Sequence, residues 1–254
     1  MLVAIVALGC ASHDPRIDET SLETTIPDPP PSPVQMMPQS RDITLGKSVK
    51  GAPITMQIFG SGSPTVFVMG GIHGDETTSV DLTTNLIASL QKHPEQFDGK
   101  LVAILRIANP DGYAAKKRVN AHGVDLNRNF PASNYKGSRR YGNESASEPE
   151  TRAILSALDQ LNPSLIISIH SIDNGRECNN YDGPAERYAK LMSKFNKYPV
   201  APNIGYPTPG SMGTYCGIDQ KIPMITLELP RGASGEESWK RNKEALLAAI
   251  REAK

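Results

Sequence analysis

From about residue 41 onward, apolar positions fall into short runs separated by segments whose apolar residues recur every three or four positions. Ile43 to Val49 and Ile54 to Phe59 alternate apolar and polar residues, which predicts two paired strands joined by Lys50-Gly51-Ala52-Pro53. Thr65 to Met69 is a continuous apolar run of the kind a central buried strand shows. It ends in Gly70-Gly71 and leads into a helical pattern from Glu76 to about Gln91, with Val80, Leu82, Leu86, Ile87 and Leu90 on the apolar stripe. Leu101 to Ile107, Leu165 to Ile169 and Met224 to Leu229 read as further buried strands. Glu148 to Leu161, Ala185 to Phe195 and Glu236 to Ala253 read as helices. Strands alternating with helices predict an α/β fold whose mostly parallel sheet is covered on both faces. No segment repeats another.

The chain has 254 residues, enough for one α/β domain or two small ones with a substantial core. Lys+Arg and Asp+Glu are both 27, so the formal charge is zero and no basic nucleic-acid footprint is indicated. The 21 prolines are uneven and mark a boundary. Residues 11–40 contain Ile26-Pro27-Asp28-Pro29-Pro30-Pro31-Ser32-Pro33, which has neither helical nor strand period and suits a semi-rigid spacer. A globular domain is expected over 41–254.

Ahead of the spacer, residues 1–10 are an apolar run too short to span a bilayer as a helix. The run resembles the end of a bacterial lipoprotein signal peptide, with Ala7-Leu8-Gly9-Cys10 as the processing site. Two features depart from that pattern: Ala7 stands where a larger aliphatic residue is usual, and no basic residue precedes the run. The resemblance implies export, a lipidated Cys10 as the only membrane attachment and, from Ala11, the outer membrane facing the periplasm. An ordinary apolar N-terminus is the alternative. Cys178 and Cys216 then remain, either as a disulfide formed in an oxidising compartment or as two buried thiols.

The chemistry-bearing residues lie at predicted strand ends. In His73-Gly74-Asp75-Glu76, His73 and Glu76 are three apart, so on a helical turn they would share a face and could converge on one ion. Alone, such a pair is also read as a helix cap with an exposed acid. His170 follows the apolar strand Leu165–Ile169, at the carboxyl edge where open α/β sheets bind ligands. Two histidines and one carboxylate can hold a zinc ion and leave its fourth position open to water. Glu228 closes an apolar strand, where a carboxylate is costly unless paired or functional. It is the candidate base, since the chain lacks His-Glu-x-x-His. His13, in the spacer, and His93, at a helix end, read as solvated. His122 reads as a turn residue.

His73-x-x-Glu76, Asn127-Arg128-Asn129-Phe130, His170-Ser171 and Glu228 in an apolar strand, in that order, resemble the zinc metallocarboxypeptidase family over roughly residues 41–250. The resemblance implies a three-layer α/β/α sandwich around a mixed, mostly parallel eight-stranded sheet. It implies one zinc ion on His73, Glu76 and His170, with Glu228 as general base and acid. Arg118 would polarise the scissile carbonyl, Asn127 and Arg128 would hold a substrate carboxylate, and Tyr206, 22 residues before Glu228, would cap the substrate.

Digestive members carry an arginine where this chain has Asp75, and an acid there would repel a carboxylate and attract an amine. Asn-Pro-Asp-Gly at 109–112, the stretch 118–131 and Tyr-Pro-Thr-Pro-Gly-Ser at 206–211 look most like the murein peptide amidase branch. That branch cleaves the bond between γ-D-glutamate and meso-diaminopimelate in cell-wall peptides. Diaminopimelate carries both an ammonium and carboxylates, which suits an Asp75 plus Arg128 pocket. Two other readings stand beside it: an N-acyl amino acid deacylase of the succinylglutamate desuccinylase or aspartoacylase type, and a lipid-tethered domain that binds wall peptides without cutting them.

Overall fold

The computed structural model describes residues 40–254 apart from 98 and 203. The expected signal segment and all but the last residue of the expected spacer lie outside the described residues. Ser40 already belongs to the first strand.

Eight strands form one mixed sheet: β1 (Ser40–Lys47), β2 (Pro53–Phe59), β3 (Thr65–Met69), β4 (Leu101–Leu105), β5 (Leu165–Ile172), β6 (Cys178–Asp182), β7 (Val200–Ala201) and β8 (Met224–Pro230). Their spatial order is β1-β2-β4-β3-β5-β8-β6-β7. The centre, β4-β3-β5-β8, is parallel; β1 and β2 add an antiparallel flank, and β6 runs antiparallel to β8. Among the described residues five α-helices accompany it: α1 (Thr77–Lys92), α2 (Pro110–Ala115), α3 (Pro149–Leu161), α4 (Glu186–Asn196) and α5 (Gly235–Glu252). The expected α/β/α sandwich is the observed one. Among the described residues no helix is long and apolar enough to cross a membrane.

Strand parity explains both cores. Val66, Val68, Leu165, Ile167, Ile169, Ile225 and Leu227 pack with α1, α4 and α5 on one face. Their neighbours in sequence, Phe67, Met69, Ile166 and Met224, pack on the other face with α3 and with Leu126, Phe130 and Met212. Successive side chains of a strand point to opposite faces. His170 therefore shares a face with Ile166, and Glu228 with Met224.

Three elements escape the hydrophobic pattern. β6 reads Cys-Asn-Asn-Tyr-Asp. Toward the helices it buries Asn179, which exchanges amide hydrogen bonds with Asn196 at 3.1 and 2.9 Å; Asn196 also donates to Asn242 at 3.0 Å. β7 has only two residues. α2 begins at the Asn109-Pro110 motif, with Asn109 capping it by accepting from Gly112 N at 2.9 Å. Cys178, on β6, and Cys216, in a π-helical turn over Gly213–Asp219, are separate buried thiols.

Candidate active site

The expected ligand pair lies ahead of the helix, in a turn. Glu76 N donates to His73 O at 3.2 Å, and Glu76 is the cap residue before α1. The turn sits tightly on α2: a Cβ on Gly74 would lie 2.0 Å from the carbonyl carbon of Gly112, so only glycine fits. His170 is inside β5, two residues from its end, because the strand runs past Ile169. It pairs in register with Glu228 of β8, and Glu228 in turn with Cys178 of β6. The sheet ladder itself thus sets the spacing of ligand and candidate base.

The three candidate ligands converge. His73 Nδ1 is 2.9 Å from Glu76 Oε1, and His170 Nδ1 is 3.1 Å from Glu76 Oε2 and 3.2 Å from His73 Nδ1. One donor atom from each lies within 4.8 Å of the others, and all three residues are buried. Two imidazole nitrogens and a carboxylate oxygen are the donor set of a catalytic zinc site. With Nδ1 turned to the cluster, His73 Nε2 carries the proton and donates to Asp125 Oδ1 at 3.0 Å. Ser171 N donates to Glu76 Oε2 at 3.0 Å, and Ser168 Oγ lies 3.1 Å from His170 Nε2. The residues therefore fit a metal in both ligand type and supporting contacts.

The electrostatics favour a cation. Burial pushes the His73 imidazole down, but the Glu76 and Asp125 carboxylates outweigh it and carry its pKa up to about 9. Burial would raise Glu76, yet the two imidazoles hold it well below the ordinary carboxylate range. Asp125 is also held well below that range against its burial, by His73, Arg118 and Arg128. Glu228 goes the other way. Burial raises it and nearby Glu76 adds to the rise, against His170, His73 and Arg118. A carboxylate lifted toward neutrality can take a proton and return it.

These groups border a cavity of about 260 Å³ that Arg118, Asn127, Arg128, Tyr206 and Glu228 also line. Arg118 donates from Nε to Asp125 Oδ2 at 3.0 Å and from Nη1 to Glu76 Oε1 at 3.1 Å. Asn127 Oδ1 accepts from Met212 N at 2.9 Å, and buried Arg128 donates from Nη1 to Asn127 O at 2.6 Å. Tyr206 is exposed beside the guanidinium of Arg176. Asp75 does not line the cavity. Its side chain lies 3.6 Å from Arg231 Nη1 and is partly exposed, whereas those of His73 and Glu76 are buried in the cluster. His93 pairs with Glu95 in solvent, and His122 with Glu148 at 2.7 Å, away from the cavity.

Three residues here carried no sequence signal: Asp125, Asp182 and Arg231. Asp125 caps the short turn Leu126–Arg128 while orienting His73. Asp182 ends β6 and lines the cavity on the same face as Glu228, since Cys178, Asn180 and Asp182 pair with Glu228, Thr226 and Met224. Burial raises its pKa to about 6, and among the described residues its carboxylate has no hydrogen-bond or ion-pair partner. The π-helical turn closes on it: a Cβ on Gly213 would lie 2.3 Å from Asp182 Oδ2.

Residues 34–176 match the zinc carboxypeptidase family, peptidase M14. Murein peptide amidase A of Escherichia coli K12 is 31% identical over 220 residues, covering 77% of this chain and 84% of its own. The protein of that name from Vibrio campbellii is 30% identical over 227 residues, covering 82% and 86%. The crystal structure of murein-tripeptide amidase from E. coli O157 superposes with a TM-score of 0.69 at 26% identity, covering 85% of this chain and 98% of that one. Bovine thrombin-activatable fibrinolysis inhibitor, at 20% identity and a TM-score of 0.72, shares the fold. With the matched segment, the two similar amidases and the shared sheet in agreement, this chain belongs to the zinc carboxypeptidase family.

Proposed function

We propose that the protein is a zinc-dependent peptidase that hydrolyses a cell-wall peptide at the bond between γ-D-glutamate and meso-diaminopimelate. Family membership and the relatives' names support zinc and a murein peptide. The observation that carries the leaving group is Asp182, an unpartnered acid in the same cavity as buried Arg128. Diaminopimelate presents an ammonium and carboxylates at its two ends, so it matches a pocket with one acid and one arginine. Asp182 therefore takes the amine-reading role that the sequence suggested for Asp75.

His73, Glu76 and His170 would hold the zinc, which when bound supplies Lewis acidity toward carbonyl oxygen and water. Asn127 and Arg128 bind a carboxylate of the leaving residue, and Asp182 binds its distal ammonium. Glu228 takes a proton from the attacking water as its oxygen bonds to the scissile carbonyl carbon. Arg118 stabilises the negative charge that develops on the carbonyl oxygen. The carbon–nitrogen bond then breaks, and Glu228 returns the proton to the departing amine. Tyr206, on an exposed loop over the cavity, caps the bound peptide.

The test is incubation of the purified, zinc-loaded protein with L-Ala-γ-D-Glu-meso-diaminopimelate. Mass spectrometry should show the dipeptide and free diaminopimelate, with loss of turnover on chelation. An intact tripeptide would overturn the reading. For location, Ala7-Leu8-Gly9-Cys10 supports export and lipidation at Cys10, anchoring the domain to the outer membrane. A diacylglyceryl group on Cys10 in protein taken from its native membrane would bear this out; a mature chain retaining Met1 would count against it.

A further inference from the structure

An amide made through a glutamate side chain leaves that residue's own α-carboxylate free. The charge lies on the acyl side of the scissile bond, where an ordinary α-linked peptide has none. A cavity that accepts this group needs a cation there, because a desolvated carboxylate without a partner is costly.

Among the described residues four arginines line the cavity: Arg118, Arg128, Arg176 and Arg231. Arg118 is engaged with Asp125 and Glu76. Arg128 adjoins the segment that cradles Asp182, through the contact of Asn127 with Met212, and so serves the leaving residue. Arg176 donates to Ile204 O at 2.9 Å and stands by Tyr206, so its guanidinium is engaged with the loop that carries that tyrosine. Arg231 lies elsewhere. It follows β8 directly and sits beside the turn that carries His73 and Glu76.

The contacts of Arg231 place its guanidinium without consuming it. Nη1 is 3.6 Å from Asp75 Oδ2, Nε is 3.8 Å from Asp173 Oδ1, and Nη2 donates to Ser171 O at 3.4 Å. Both carboxylate distances exceed a hydrogen bond. The side chain is 43% exposed at the cavity mouth, with Asp75 33% and Asp173 78% exposed, so water screens these pairs. A guanidinium has five N–H donors in a planar fork that suits a carboxylate. An arriving carboxylate would exchange two long, screened contacts for two short ones.

We propose that Arg231 binds the free α-carboxylate of the acyl-side glutamate and so selects γ-glutamyl over α-peptidyl bonds, with Asp75 and Asp173 as positioning residues. This rests on the γ-D-glutamyl reading above.

The experiment compares two tripeptides that differ only at that group: the α-carboxylate of γ-D-glutamate and its carboxamide. The readout is the ratio of their kcat/KM values for wild type, Arg231→Gln, Arg231→Lys and Arg176→Gln, each with zinc content measured. Wild type should prefer the carboxylate by about 10- to 100-fold, as for one charge-assisted contact. Arg231→Gln should bring the ratio near one, Arg231→Lys should keep part of it, and Arg176→Gln should leave it. Asp75→Asn should lower the ratio by less, through KM. A ratio unmoved in both Arg231 variants, or one erased in Arg176→Gln, overturns the assignment. If wild type cuts both peptides equally well, this inference alone falls; if it cuts neither, the proposed function falls with it.

Discussion

Asp182→Asn should make the protein more stable at neutral pH and a poorer reader of diaminopimelate. Burial lifts this carboxyl from an ordinary 3.8 to about 6, and no cation among the described residues offsets the loss. At about 1.4 kcal/mol per pH unit, keeping the group ionised in the folded state costs about 3 kcal/mol above pH 6. The folded pKa is raised, so the folded state holds the proton more tightly than the unfolded chain. Its destabilising effect is absent below about pH 4, grows as pH rises through 4 to 6, and is then constant. An asparagine carries no charge across this range but retains some amide desolvation. The expected gain is therefore about 1–3 kcal/mol at pH 7.5, fading at pH 4. Urea unfolding of both proteins at the two pH values measures it. In parallel, kcat/KM for the diaminopimelate tripeptide should fall by about 10- to 100-fold relative to a tripeptide lacking the distal ammonium, as for one charge-assisted contact. A variant no more stable than wild type at pH 7.5, or a gain that persists unchanged at pH 4, would refute the account of Asp182 as an uncompensated acid.

Other outcomes follow from the same geometry. His73→Ala and His170→Ala should each lose both bound zinc and turnover, and full zinc occupancy by elemental analysis in either would remove them from the ligand set. Glu228→Gln should retain fold and metal but lose about 10²–10⁴-fold in kcat, the usual contribution of a general acid–base group; activity within twofold of wild type would place the base elsewhere. Asp125→Asn should weaken zinc retention by about 10- to 100-fold, read by competition with a chelator, because His73 loses its carboxylate partner. Gly213→Ala, whose new methyl would collide with Asp182, should raise KM for the tripeptide with zinc content intact; an unchanged KM would mean the pocket floor lies elsewhere.

His73, Glu76, His170 and Glu228 are legible in the sequence for a physical reason. His170 and Glu228 interrupt or end runs of apolar residues, where a polar group calls for a partner, and His73 and Glu76 stand three apart just after such a run. His170 and Glu228 lie on parallel, doubly covered strands whose runs are nearly continuous, and the turn with His73 and Glu76 follows a third. β6 is not legible, because its buried Asn179 is satisfied by Asn196 and replaces the hydrophobic signal with an amide pair. Asp182 shares that strand and that silence. Asp125 and Arg231 sit in turns, where polar residues are expected, and only the folded contacts show what they hold. The helical spacing read into His73 and Glu76 paired two residues that do converge, but a turn brings them together before the helix starts.

The register of β5 against β8 has a consequence for how such an enzyme changes over time. His170 and Glu228 are tied to each other by main-chain pairing between two buried strands, and a slip of either strand by one residue would carry its residue into the opposite core. Arg231 and residues 204–211 lie in turns and loops outside that ladder. Substitution and even insertion there can alter which peptide is accepted without disturbing the spacing of His170 and Glu228. A library randomised in those turns should return many variants with full zinc and new preferences, whereas one randomised at β5 and β8 should return mostly unfolded chains. The hydrolytic step is inherited as backbone, and substrate choice is left to side chains that selection can revise separately.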